Sequence, residues 1–216
     1  MICPCNREFF TDKDWRFIKA FPEETQKMKA TEIEGWMRYR ELLWLSKMAR
    51  RCSLIIEVGT WNGRSTCAMA ERMKHGKIIT IDSFMMKGVP PGRWDIARKA
   101  YDALQEDPDY IFKCALMNLS DFIKAGRIEV IRGDSNEVHK KLGQYKGQAD
   151  LVFIDGSHDY ESVKRDIINY LPFVKPGGLI TGHDFGHQVQ KAVEEMLPGY
   201  GVARNTSIWY RRKDVV

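Results

Sequence analysis

The run Ile55-Ile56-Glu57-Val58-Gly59-Thr60-Trp61-Asn62-Gly63-Arg64-Ser65-Thr66 decides how the rest of the chain reads. A short apolar stretch ends in an acid, passes through a loop with two glycines, and opens on a Ser-Thr pair. That order predicts a strand, a tight turn and a helix N-terminus. Glycine lets the backbone approach a bound group closely and take up dihedrals other residues avoid. The free N–H groups of the following helix attract a carboxylate or a phosphate. The glycine spacing departs from G-x-G-x-x-G, so the loop is not the dinucleotide fingerprint.

Working outward, the chain alternates strand and helix. Apolar residues at helical spacing (Ile33, Trp36, Met37, Leu43, Trp44, Leu45, Met48) predict a helix over 31–51. Thr31 would be its N-cap, with Glu34 completing a capping box. Strands are expected at 54–58, 77–81, 128–132, 149–154 and 179–181, with helices at about 65–73, 136–142, 160–171 and 187–196. Pro172 should end or bend the third of these helices. Pro176-Gly177-Gly178 reads as a turn, and 201–204 and 207–211 as two closing strands. Continuous apolar strands alternating with helices imply an α/β fold, a doubly wound, mostly parallel sheet with a C-terminal antiparallel hairpin. Ligands of such sheets bind outside the carboxyl ends of the strands. The connection 83–126 is too long for an ordinary crossover. It is expected to hold a substrate-facing lid at about 84–110, including Met85-Met86 and Arg93-Trp94, and a crossover helix at 111–125.

Composition narrows the classes. The chain has 216 residues, 44% hydrophobic and 29% charged, as for an ordinary globular protein with one buried core. The net charge of +5 is mild and argues against a nucleic-acid partner. No apolar run approaches the ~20 residues needed to span a bilayer, and the first residues carry no hydrophobic signal region. A cytoplasmic location is expected. Five scattered cysteines form neither a zinc-ligand pattern nor a disulfide framework, and Cys67 reads as packing.

Polar residues gather where the strands end. Asp82 closes the second strand, where an acid can accept both hydroxyl protons of a ribose diol; a cap or turn role is the alternative. Gly133-Asp134-Ser135 closes the third strand, and an ordinary Asp-Ser turn would also account for it. Asp155 and His158 follow the fourth strand, and His183-Asp184 the fifth.

The first run, with Phe153-Ile154-Asp155-Gly156-Ser157-His158-Asp159-Tyr160-Glu161-Ser162-Val163 and Lys175-Pro176-Gly177-Gly178-Leu179-Ile180-Thr181-Gly182-His183-Asp184-Phe185, resembles class I S-adenosylmethionine-dependent methyltransferases. The similar branch includes macrocin-type sugar O-methyltransferases and cephalosporin-hydroxylase-like proteins, with catechol O-methyltransferase more distant. The resemblance covers roughly residues 43–211, without the first ~40 residues or the lid. Residues 1–30 are charged and aromatic without clear periodicity and read as an N-terminal extension, which could contribute to a homo-oligomer, ahead of a single methyltransferase domain expected over 31–216.

The same resemblance implies that S-adenosylmethionine is held by Glu57, Gly59, Thr60, Trp61, Gly63 and Ser65 at its methionine end. Asp82 and Ser83 would hold the ribose, Asp134 and Ser135 the adenine, with Asp155 beside the reacting group. In those families the Asp155 position and the pair matching His183-Asp184 bind a divalent metal such as magnesium or manganese. This chain has a histidine where the sugar enzymes carry an acid, and imidazole favours manganese, iron or zinc over magnesium. His158 falls where the catechol enzyme keeps its lysine base, and a histidine suits a general base near neutral pH. The expected reaction is methylation of a small hydroxylated acceptor by direct displacement. Two alternatives stay open: transfer to nitrogen or to a macromolecule, and a hydroxylase-like or non-catalytic binding protein on the same scaffold.

Overall fold

The computed structural model describes residues 28–86 and 96–214. β1 (Leu54–Val58) is the axis of the sheet. Around it lie β2 (Lys77–Asp82), β3 (Ile128–Arg132), β4 (Ala149–Ile154), β5 (Val174–Gly182), β6 (Gly201–Val202) and β7 (Trp209–Arg212). Their spatial order is β3-β2-β1-β4-β5-β7-β6, with the first five parallel and β7 antiparallel to both its neighbours. The chain winds one way from β1 and the other way from β4. The crevice between the carboxyl ends of β1 and β4 is therefore the topological switch point.

Strand side chains alternate between two cores because successive residues face opposite sides of a sheet. Ile55, Ile78, Leu151 and Phe153 pack under α1 (Tyr39–Ala49) and α2 (Arg64–Arg72), against Leu42, Leu45, Cys67 and Met69. Ile56, Val58, Ile79, Val152 and Ile180 face the other way, under α7 (Tyr160–Tyr170) and α8 (His187–Met196), against Ile167, Tyr170, Val189 and Val193. Cys67 is packing, as expected.

Three boundaries differ from those read in the sequence. The first helix begins at Tyr39, not Thr31. Thr31 spends its hydroxyl on the Met28 carbonyl within a 3-10 turn, Lys29–Glu32, and Glu41 accepts the Arg38 N–H at the true helix start. Trp36 and Met37 consequently sit in the irregular segment between that turn and the helix. The fifth strand begins at Val174, because Pro176-Gly177-Gly178 is absorbed as an irregularity in its pairing with β4 while Gly177 and Gly178 bond to Lys213. The expected single crossover helix is two, α4 (Tyr110–Asn118) and α5 (Ser120–Lys124), broken at buried Leu119. The remaining helices are α3 (Ile96–Glu106) and α6 (Ser135–Lys141). Of the expected lid, residues 84–86 and 96–110 are described, and Arg93-Trp94 lie outside the described residues. Phe84, Ala100, Ile111 and Ala115 form a small separate core there, packed against Trp61 and Met86. Among the described residues, no helix is long and apolar enough to cross a membrane.

Candidate active site

Two glycines bring the key strand ends together. Gly59 has φ +98°, and a Cβ on it would collide with the Asp155 carbonyl, while Asp155 N–H bonds to Val58 O at 2.7 Å. Gly63, at φ +86°, would press a Cβ into Leu119. Gly59→Ala combines backbone strain with overpacking against main chain, each ~1–3 kcal/mol. Chemical denaturation should show a loss of ~2–4 kcal/mol; an unchanged midpoint would contradict the close approach.

Glu57 is fully buried behind the loop and outside the cavity wall. Its carboxyl accepts hydrogen bonds from Ser65, Thr66 and Thr80, and Thr60 meets Thr80 in turn. Burial raises its pKa to about 7 against those hydrogen bonds. Glu57 thus braces the loop from beneath, and Thr60, Trp61 and Ser65 present the loop's upper surface.

The cavity above the strand ends measures about 1010 Å³, at the upper end of the ~300–1,000 Å³ usual for small-molecule sites. Gly59, Thr60, Trp61, Ser65, Asp82, Ser83, Asp134, Ser135, Asp155, His158, His183 and Asp184 all border it. Asp82 is oriented by two backbone donors: Trp61 N–H at 2.8 Å to Oδ2 and Phe84 N–H at 2.7 Å to Oδ1. Burial raises its pKa. One donor per oxygen leaves acceptor capacity for a diol at the wall. Asp134 caps α6 through Asn136 N–H, and Ser135 Oγ donates to Asp166.

At the β4 and β5 ends, Asp155, His158 and Asp184 offer one ligand atom each, all within 4.8 Å of one another. His158 is half exposed, its Nδ1 3.5 Å from Asp184 Oδ2. His183 sits behind this group and is buried. Its Nε2 lies 3.1 Å from Glu41 Oε2 and 3.0 Å from Ser207 Oγ; its Nδ1 lies 3.5 Å from Asp184 and 3.6 Å from Asp155. Ser207 gives its own proton to Glu41 Oε1 at 2.9 Å, so it can only accept from the ring. Every neighbour of both ring nitrogens is an acceptor, which the doubly protonated imidazolium satisfies. Burial opposes that charge, but Asp155 and Glu41 outweigh it and raise the pKa to about 10.

Sequence reasoning missed the supports. Glu41 and Ser207 lie far apart in the chain; the first falls within the expected helix 31–51 and the second opens the expected strand 207–211, and neither carries a signal of a site role. Trp36, Met37 and Asp166 also border the cavity; the first two were assigned to a helix face and the last to no role.

Residues 56–185, more than half of the chain, match the family model described as a methyltransferase domain. No curated protein matches the sequence significantly. Among solved structures, a proposed O-methyltransferase of Klebsiella pneumoniae is 16% identical with a TM-score of 0.63, covering 95% of this chain and 97% of its own. The O-methyltransferase TomG of Streptomyces achromogenes, solved with S-adenosylmethionine, is 16% identical with a TM-score of 0.59 over 94% of this chain and 96% of its own. A third, the S-adenosylmethionine-dependent O-methyltransferase of Thermotoga maritima, is 15% identical with a TM-score of 0.58 over 90% and 72%. At these identities the solved structures establish the shared fold, and the family model establishes membership. The chain belongs to the methyltransferase domain family and is a class I S-adenosylmethionine-dependent methyltransferase.

Proposed function

We propose that the enzyme methylates a hydroxyl group of a small molecule, with His158 as the general base. The observation that carries this reading is the placement of His158. It stands half exposed at the cavity wall, 3.5 Å from Asp184 and on the β4 loop whose first residues pack against Gly59. Bound S-adenosylmethionine supplies a methyl group already activated on a sulfonium. The protein's part is to align the acceptor oxygen with that methyl and to remove its proton. In this reading the Gly59–Ser65 surface holds the amino-acid end, Asp82 the ribose, and Asp134 and Ser135 flank the adenine. Asp184 orients the His158 ring and stabilises it once it has taken the proton. Trp36, Met37 and Met85 add apolar surface to the cavity wall, which fits an organic acceptor.

Asp82→Ala removes the diol acceptor. Calorimetry with S-adenosylhomocysteine should show affinity ~10–100-fold weaker, the scale of hydrogen bonds to a charged group. An unchanged affinity would remove the ribose role.

A second reading is favoured by the convergence of Asp155, His158 and Asp184. These residues would hold a divalent cation, which would supply Lewis acidity to the acceptor hydroxyl. His183, surrounded by acceptors on both nitrogens, would then stand behind the site rather than in it. Labelled methyl transfer to a panel of hydroxylated small molecules, before and after exhaustive chelation, separates the two. Unchanged turnover supports His158 as base. Turnover that disappears and returns with manganese or magnesium makes His158 a ligand instead. Cofactor binding without transfer to any hydroxyl in either condition would sink both.

A further inference from the structure

Asp166 lies in the second turn of α7 and is almost wholly buried, yet it borders the cavity. Its Oδ1 accepts a hydrogen bond from Ser135 Oγ at 2.8 Å, which ties α7 to the start of α6. The gap between Asp166 and the cavity exists because residue 156 is a glycine. A Cβ there would stand 3.9 Å from Asp166 Oδ2 and 3.5 Å from Val58 Cγ1, and a longer side chain would fill the opening. A carboxyl at this depth is costly unless its oxygens find donors. Ser135 supplies one, and the other oxygen faces the gap.

The cofactor reading given above brings a donor to that place. With the base beside Asp134 and Ser135 at the end of β3, the Ser135–Asp166 hydrogen bond sets Asp166 against the same part of the cavity wall, next to Gly156. Asp134 borders the same end, but its Oδ1 is occupied by the Asn136 N–H and side-chain amide. We propose that Asp166, fixed by Ser135, accepts a hydrogen bond from the 6-amino group of the cofactor's adenine and thereby makes the enzyme selective for an adenosyl cofactor. Burial raises the Asp166 pKa to about 6, with Ser135 and Arg165 opposing and Asp134 and Asp159 reinforcing it. Both the ionised and the neutral carboxyl keep an oxygen able to accept. The inference rests on the cofactor and is independent of the acceptor and of His158.

The test uses the full chain, S-adenosylhomocysteine, and its analogue with hydrogen in place of the 6-amino group. Calorimetry should show the wild type preferring the amino form by ~10–100-fold, the range of a hydrogen bond to a charged group. Asp166→Ala, shown folded by its thermal transition, should bind the two comparably, the loss falling on the amino form. Equal affinities in the wild type, or a full preference kept by Asp166→Ala, overturn the proposal. Should that variant not fold, the wild type with ligand labelled with nitrogen-15 at the amino group decides. Two resolved amino-proton signals with nuclear Overhauser contacts to the Asp166 β-protons are expected; a single averaged signal without those contacts overturns it.

Discussion

His158→Ala should lower kcat by ~10²–10⁴-fold, the contribution of a positioned general base, and leave the affinity for S-adenosylhomocysteine unchanged. The reasoning is positional. His158 enters from the loop between β4 and α7, on the β5 side of β1, whereas Asp82 and Asp134 close β2 and β3 on its other side. The His158 side chain meets Asp184, with Asp155 within 4.8 Å. Its removal should therefore act on proton removal from the acceptor and leave the cofactor's own contacts in place. The measurement is steady-state labelled methyl transfer to whichever hydroxylated acceptor the panel identifies, with calorimetry alongside. A kcat close to wild type would remove the base assignment, and a parallel loss of cofactor affinity would show a general collapse of the site.

Glu41→Ala should be the most destabilising single change at the site, by ~3–5 kcal/mol in urea unfolding, because removing one partner of a buried ion pair strands the other. Glu41 is buried at 3% exposure and accepts from Arg38 N–H, Ser207 N–H and Ser207 Oγ besides facing His183. Burial disfavours its charge, yet His183 and these donors bring its pKa down to about 2. Its folded value lies below the ordinary 4.5, so its contribution is complete above about 4.5 and lost as pH falls towards 2. For His183 the sign is opposite. A folded value of about 10 against 6.5 means a contribution complete below 6.5 and lost as pH rises towards 10. The wild type should thus lose stability progressively between about pH 6.5 and 10. Glu41→Gln should flatten that slope, since one of the two acids holding the imidazolium is gone. Equal slopes in the two proteins would contradict the pairing.

Much of this architecture could be read from residue order, for identifiable reasons. Continuous apolar strands such as 149–154 and the helix 187–196 carry their own periodicity, and the structure returns both at the expected bounds. Where a tertiary contact overrides a local signal, the reading slipped. The Thr31–Glu34 pair looks like a capping box, but Thr31 turns its hydroxyl to Met28, Glu34 is buried beside Asn62 and Lys99, and the helix waits for Glu41. The Pro176-Gly177-Gly178 turn signal lost to its place within β5, bulged in the pairing with β4 and bonded to Lys213 on the other side. At the site, motif residues fell along one cavity because strand ends in a parallel sheet share an edge. The parts that hold them, Glu41 and Ser207 around His183 and Asp166 behind Gly156, come from elements whose contact is fixed by packing. No spacing rule connects residues 41, 183 and 207.

The central claim is that the cofactor lies across the β1–β4 switch point with its reactive sulfur turned towards Asp155, His158 and Asp184. A crystal structure with S-adenosylhomocysteine tests it most directly. The predicted result has the homocysteine end on the Gly59–Ser65 loop, the ribose diol on Asp82, and the sulfur opening onto the space beside His158. A ligand with its ribose away from Asp82, or with its sulfur facing away from His158 and Asp184, would contradict the account.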